Sequence, residues 1–476
     1  MNNNLFMNVA AETIKYFESL QDIPIGVTSS IEVLKSSADA DLPEHGEDPE
    51  IALNKLISCV KKGLIHSQNP RYFGFVIGGS TPTSIAADWL TSVWDQNAQV
   101  FDTSPAASII EDIVANWILE LLNLPKESGV GFVTGAQMAN FTALNVARNT
   151  MLEKHGWDIE LNGLQGSPHF NIIVGGSCHG TIHSAVRMMG LGKNNIKSVP
   201  SDAQGRINID SLKNELNNCS GPTIICAQAG NVNTGCFDYF EEIIHLAKKH
   251  GAWVHIDGAF GLWARTSPKY CHLVAGIEKA DSWTVDAHKW LNVSYDSGIV
   301  IIKDSKNHNK LKTIKCSYAG RHSEEYRDGS QWVPENSRRA RGFVLYAALR
   351  NLGRVGVRKI VENSCSLATE FAHQLEKLPN VHVLNDIVLN QVLFRVESES
   401  NCDTNSFNNS ICEHIQKEGI AWIGTTRWEG KTAMRISVSN WLTTKVDVDK
   451  TIRSIRNSIE NELQIINNSI LINRTV

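Results

Sequence analysis

Between Phe170 and Asp304 the chain reads, in order, "FNIIVGG" (170–176), "TIHSAVRMMGLG" (181–192), "PTIICAQAG" (222–230), "FDYFEEIIHLAKKHG" (237–251), "AWVHIDGAFG" (252–261), "SWTVDAHKW" (282–290) and "GIVIIKD" (298–304). Short β-branched runs alternate with segments of helical period. The runs are apolar almost throughout, as expected of strands covered on both faces. This predicts an α/β layer built on a mostly parallel sheet. In the helix after Phe237, Asp238 is the expected N-cap, Ile243, Ile244 and Ala247 face inward, and Gly251 stands just past the end.

Upstream, "SPAASIIEDIVANWILELLNLP" (104–125) spaces Ile109, Ile110, Ile113, Val114, Trp117, Ile118 and Leu121 at helical intervals, which predicts a core helix. Downstream of about Tyr346 the pattern changes to a long helix and short strands around "VHVLN" (381–385), "QVLFRVES" (391–398) and "TAMRISVSN" (432–440), then a last helix. The expected organisation is an N-terminal helical segment over 1–85, a large α/β domain over 86–345 and a small α+β domain over 346–476.

The 476 residues are 42% hydrophobic, enough for a sizeable core. With 45 Lys and Arg against 50 Asp and Glu, the net charge of −5 supports neither a nucleic-acid nor a polybasic membrane partner. No run approaches the ~18 apolar residues of a membrane span, and the polar start lacks the pattern of a secretory signal. The ten cysteines contain no CxxC pair, which suggests reduced thiols and a cytoplasmic location rather than a disulfide framework or a zinc site.

Lys289 directly follows an apolar run, between a histidine and a tryptophan. Burial disfavours the ammonium form, so a lysine there is either strained or a nucleophile. Asp257 ends the run "AWVHI" and should stand at the carboxyl end of a strand, where open α/β sheets place their ligands; Lys289 follows another such run thirty-two positions later. A salt bridge between the two is the plain alternative. The turn Thr134-Gly135-Ala136 ends a strand-like run and opens a helix, an arrangement that can bind phosphate, although it is neither a Walker loop nor a GxGxxG. His179, just past "FNIIVGG", could stack on a planar ligand, transfer a proton or fill space. Three polar groups at successive strand ends favour a site over filler.

These stretches, together with "PRYFGF" (70–75), "VTGAQMAN" (133–140), "SRRARGF" (337–343) and "MRISVSN" (434–440), resemble the pyridoxal-phosphate-dependent group II amino-acid decarboxylases, the family of aromatic-L-amino-acid and glutamate decarboxylases. The resemblance covers most of the chain. It implies the fold type I, aspartate-aminotransferase-like architecture, pyridoxal 5'-phosphate as cofactor, an L-amino acid as substrate, and a homodimer with the N-terminal segment packed on the partner. Carried over by position, it implies that Lys289 holds the cofactor covalently and Asp257 pairs with its ring nitrogen. His179 would stack on the ring opposite Ala259, and Ala136, Gln137 and His288 would hold the phosphate. Asn231 would reach the phenolic oxygen and Arg435 the substrate carboxylate.

Tyr72, Phe73, Phe75, Trp94 and Phe101 fall where such relatives line the substrate pocket, which favours an aromatic side chain, with Phe75 and Phe101 foremost. "CSYAGRHSEEYRDGSQW" (316–332) matches the family's active-site loop, whose tyrosine protonates the carbon that lost its carboxylate; Tyr326 and Tyr318 are the candidates. The sequence departs from the family at Gln137 and Met138, at "AGNVNTG" (229–235), and at Asp286, where an acid would sit awkwardly beside a phosphate. An aldehyde synthase, an aldol-type lyase or an aminotransferase would use the same cofactor site. Other classes are a hydrolase on Ser177 and His179, a metal site from Cys178, His179 and His183, and a non-catalytic binding protein.

Overall fold

The computed structural model describes residues 3–38, 41–308, 311, 326–398 and 403–475. A seven-stranded sheet, in the order β1-β7-β6-β5-β4-β2-β3, forms its centre. The strands are β1 (Gly129–Val133), β2 (Asn171–Gly175), β3 (Ile196–Val199), β4 (Thr223–Gln228), β5 (Trp253–Asp257), β6 (Ser282–Asp286) and β7 (Gly298–Ile302). Pairs among β2 to β6 are parallel, and β7 runs antiparallel to both β1 and β6. Every residue of β1, β2 and β4 to β7 is buried, which accounts for their unbroken apolar text.

Register decides where the chemistry can lie. Gln228 pairs with Asp257, and Asp257 with Thr284, so β4, β5 and β6 finish together at one edge of the sheet. The helix Ala136–Lys154 packs over β5, β6 and β7 through Ala139, Ala143, Leu144 and Ala147, small residues that let it lie close. The helix Phe240–His250 buries Ile243, Ile244 and Ala247 and ends at Gly251 in the left-handed conformation, as the sequence indicates. Asp238 does not cap it. The N-cap is Tyr239, and Asp238 accepts backbone N–H groups from Ile207 and Gln228, each at 2.7 Å. Burial pushes its carboxyl up to about 6, against those two hydrogen bonds.

The helix Pro105–Leu121 turns Val114 and Ile118 to the core and leaves Ile109 half exposed. The helix Pro82–Trp94 runs straight through position 85 and packs on the long helix Gly342–Leu375, which breaks at Gly353 where φ is 58°. Beyond it, β8 (Val381–Val383), β9 (Gln391–Val396), β10 (Gly424–Trp428) and β11 (Lys431–Ser437) form an antiparallel sheet in the order β10-β11-β9-β8. Phe371, Phe394, Phe407, Ile411, Ile436 and Ile455 form its core with Phe73 from the N-terminal region. Each such side chain contributes about 1.5–3 kcal/mol by leaving water. Among the described residues, no helix is long and apolar enough to cross a membrane.

Candidate active site

A cavity of about 240 Å³ opens at the carboxyl ends of β4, β5 and β6, and Phe75, Ala136, Gln137, His179, Asp257, Ala259, His288 and Lys289 all line it. The strand register, the helix start and the lysine turn therefore converge on one place. A larger, mostly apolar cavity of about 500 Å³ lies between the N-terminal helices, but its charged groups include the ion pair Glu12–Lys61 and it has no comparable constellation.

Asp257 ends β5, where it is 6% exposed; Oδ1 accepts from Ala259 N at 3.3 Å and Oδ2 from Asn140 Nδ2 at 3.2 Å. Lys289 stands three residues past β6. Its surroundings are not apolar as its sequence neighbours suggest, because Nζ lies 3.0 Å from Asp286 Oδ2. Asp286 also takes the Ala136 N–H at 2.6 Å on Oδ1, and His288 Nε2 is 3.5 Å from the same oxygen. Burial works against that carboxylate, but Lys289 and His288 together outweigh it and hold its pKa below the ordinary value. Asp286 thus fills the mouth of the helix whose Gly135 provides no side-chain cap.

His179 is the N-cap of the helix Gly180–Met188; Nδ1 accepts from Thr181 N at 3.3 Å and lies 2.8 Å from Thr181 Oγ1. The ring is open at the cavity yet ringed by protein. Desolvation lowers its pKa first, the nearby Asp257 opposes this, and Lys289 and Arg435 add to it. His288 is fixed by the Ser297 N–H on Nδ1 at 3.1 Å and by stacking on Tyr295, with ring centres 4.2 Å apart.

Other sequence candidates stand elsewhere. Asn231 is not part of the lining: its amide is spent on Ser177 O at 3.1 Å and on the N–H groups of Asn233 and Thr234, so it holds a turn together. Arg435, on β11, donates to Val232 O at 3.0 Å and Asn233 Oδ1 at 3.2 Å, just behind Val232, which lines the cavity; burial brings its pKa down to about 10. Phe101 and Tyr326 stack on each other at 4.2 Å, outside the lining. Tyr72 stacks on Trp422, Phe73 meets Phe371 edge-on and Trp94 meets Phe343, so Phe75 alone of the aromatic set reaches the cavity. Tyr318 lies outside the described residues.

Sequence reading missed the strap over the lysine. Phe75 and Val76 both have positive φ, 55° and 59°, a conformation strained for a β-branched residue. A Cβ on Gly78 would stand 1.7 Å from the Lys289 carbonyl oxygen, so only glycine lets the strap pass there. Gly79 N donates to Asn292 Oδ1 at 2.7 Å, tying the strap to the lysine turn. The metal trio does not assemble: Cys178 Sγ and His183 Nε2 meet at 3.2 Å, but His179 Nδ1 is engaged by Thr181, and among the described residues no group of three His, Cys, Asp or Glu could hold a metal ion. Burial pushes the Cys178 thiol up to about 12, which leaves it a poor nucleophile.

The donor set suits an aldehyde-bearing, phosphorylated pyridine. It offers an amine at 289, a carboxylate at the strand end, an open imidazole between them and a helix start for an anion. Asp286 is the discordant member, partly neutralised by Lys289.

A family model described as "Pyridoxal-dependent decarboxylase conserved domain" matches residues 32–397. The chain is similar to the aromatic-L-amino-acid decarboxylase of Bacillus atrophaeus, at 28% identity over 93% of this chain and 92% of that one. It is also similar to the phenylacetaldehyde synthase of Arabidopsis thaliana, at 25% identity over 93% and 92%. The crystal structure of Oryza sativa TDC with PLP and tryptamine superposes with a TM-score of 0.90 at 22% identity, covering 96% of this chain and 97% of that one, a likeness of fold.

Proposed function

Because this chain belongs to the family of pyridoxal-dependent decarboxylases, we propose that Lys289 and Asp257 hold pyridoxal 5'-phosphate in this cavity and that the substrate is an L-amino acid with an aromatic side chain. The enzyme is a carboxy-lyase that forms the amine and carbon dioxide. The observation that carries the site assignment is the meeting, in one cavity, of Lys289, Asp257 and His179 from three separate strand ends.

Bound there, the cofactor supplies an electron sink for the pair left at Cα when carbon dioxide departs. The Asp257 carboxylate holds a proton on the ring nitrogen. Lys289 would be the cofactor's covalent anchor, and its amine, when free, would serve as a base or acid near Cα. His179 and Ala259 bracket the ring, and Ala136, Gln137 and His288 hold the phosphate. Arg435 receives the substrate carboxylate and Phe75 packs on its side chain, which together fix the angle of the bond to be broken. An aromatic substrate is supported by the exposed ring of Phe75 at the cavity and by the Bacillus relative.

A homodimer is supported by the half-exposed Leu90, Val93 and Trp94 on one helix, and by the Phe101–Tyr326 stack, which does not meet the cavity of its own chain. A cytosolic location is supported by the free thiols of the eight described cysteines. One observation favours a second outcome, oxidation to the aldehyde with dioxygen as the two-electron acceptor, giving peroxide and ammonia beside carbon dioxide: Tyr326, the described candidate for returning a proton to Cα, is turned onto Phe101. Incubating the reconstituted protein with each standard amino acid and assaying carbon dioxide, amine, aldehyde and peroxide tests both. Amine and carbon dioxide from aromatic substrates support the main reading; aldehyde and peroxide support the second, and carbon dioxide from acidic substrates alone refutes the substrate assignment.

A further inference from the structure

A buried chain of hydrogen bonds runs along one face of the sheet, from the start of β5 to the cavity. Trp253 Nε1 donates to Ser282 Oγ at 2.9 Å, Ser282 Oγ lies 2.9 Å from His255 Nδ1, and His255 Nε2 lies 2.9 Å from Asn140 Oδ1. Asn140 Nδ2 then donates twice, to Asp257 Oδ2 at 3.2 Å and to Thr181 Oγ1 at 3.2 Å, and Thr181 Oγ1 lies 2.8 Å from His179 Nδ1. His255, Asn140 and Ser282 are fully buried.

The direction of every bond follows from the cavity end. A carboxylate oxygen only accepts, so Asn140 must turn its NH2 toward Asp257 and its oxygen toward His255. That oxygen only accepts too. His255 must therefore carry its proton on Nε2 and accept on Nδ1, from the Ser282 hydroxyl, whose own lone pair takes the Trp253 N–H. The second Asn140 N–H is accepted by Thr181 Oγ1; because the Thr181 backbone N–H can only donate to His179 Nδ1, at 3.3 Å, that nitrogen is an acceptor, so the Thr181 hydroxyl, held by Asn140, donates to it as well and a neutral His179 is protonated on Nε2. Burial brings the His255 pKa down to about 3, in keeping with a neutral ring.

We propose that Asn140 and His255 are positioning residues, a one-way relay that aims the Asp257 carboxylate at the cofactor's ring nitrogen and fixes the tautomer of His179. The inference rests on the assignment of Asp257 above. Asn140 is the branch point: it bonds Asp257 directly and reaches His179 through Thr181. His255 sets which way Asn140 faces. A merely space-filling histidine would have no preferred tautomer and could be replaced by any residue that fills the volume.

The test uses holoenzyme loaded with cofactor labelled with ¹⁵N at the ring nitrogen, read by NMR, beside protein with ¹⁵N-labelled histidine. In the wild type, the His255 signal, identified by its loss in His255→Gln, should be that of a neutral Nε2–H ring from pH 5 to 9. His255→Gln keeps an N–H at the Nε2 position and should retain a protonated ring nitrogen, with kcat within about threefold. His255→Asn loses that donor, and Asn140→Asp turns an acceptor on Asp257. Both should shift the ring nitrogen toward its unprotonated signal and lower kcat about 10- to 100-fold while KM changes less than about threefold, the loss of one hydrogen bond to a charged group.

A wild-type His255 protonated on Nδ1, or doubly protonated, overturns the relay even if no variant folds. So does His255→Asn with a wild-type ¹⁵N signal and kcat, or His255→Gln as impaired as His255→Asn. Asp257→Asn separates the two levels: if it too keeps the protonated ring nitrogen, the assignment of Asp257 itself has failed, whereas if only the relay variants behave as wild type, the relay alone has failed.

Discussion

Replacing Gly298 with alanine should loosen cofactor binding through the turn that opens the helix Ala136–Lys154. A Cβ on Gly298 would stand 2.4, 2.6 and 2.7 Å from the Cα, C and N of Gly135. Ordinary carbon contacts begin near 3.5 Å, so something must yield by about 1 Å. Gly298 cannot be the part that moves freely, since it pairs with Val133 on one side and Asp286 on the other. The Gly135 turn must retreat, taking with it the helix end assigned to the phosphate; the Ala136 N–H there is already held by Asp286 Oδ1 at 2.6 Å, so the donor at stake is the next backbone N–H, that of Gln137. Losing one charge-assisted hydrogen bond costs about 1.5–3 kcal/mol, or roughly 10- to 150-fold in the dissociation constant of pyridoxal phosphate. Tryptophan fluorescence during titration of the apoprotein measures this, with circular dichroism confirming that the sheet survives. A folded Gly298→Ala protein that binds the cofactor within about threefold of wild type would refute the placement of the phosphate at this turn.

The paired burial of His255 and His308, whose pKa values fall to about 3, makes stability depend on pH. The unfolded chain takes up protons below about 6.5 that the folded chain refuses, so their contribution is complete above that pH and is lost on acidification. Asp238, raised to about 6, opposes this over part of the range. The net loss by pH 5 should be about 2 kcal/mol, visible as a lower urea midpoint than at pH 7, and a flat midpoint would contradict it. Val93→Glu, on the exposed helix face, should convert the proposed dimer to monomer in analytical ultracentrifugation, and an unchanged sedimentation coefficient would count against that face as the interface. Arg435→Met should raise KM for the amino acid by about 10-fold or more, as expected for one lost ionic hydrogen bond, with a smaller change in kcat. An unchanged KM would return Arg435 to a role in holding Val232 and Asn233.

What could be read from the text was what burial writes into it. β5 and β6 are buried on both faces, so their apolar runs mark the strand ends and hence Asp257 and Lys289. The same runs carry no arrow: "GIVII" looks identical whether β7 runs parallel or, as it does, antiparallel. β10 was invisible because Gly424–Trp428 is a half-exposed edge strand with a polar text. Asp238 looks like a cap because caps and buried turn ties use the same short acid. Asn231 matched by position, yet the turn it sits in consumes its amide. Asn140 lies inside a helix and His255 inside a strand, where a lone polar residue reads as filler; only their contact across 115 positions gives them a role. The Phe101–Tyr326 stack likewise joins residues 225 positions apart, a pairing no local pattern announces.

The most direct test of the central claim is reductive trapping. Protein reconstituted with pyridoxal phosphate is treated with borohydride, digested and mapped by mass spectrometry. The account predicts one phosphopyridoxyl group per chain, on the peptide containing Lys289. A label on another lysine, or none, would contradict it.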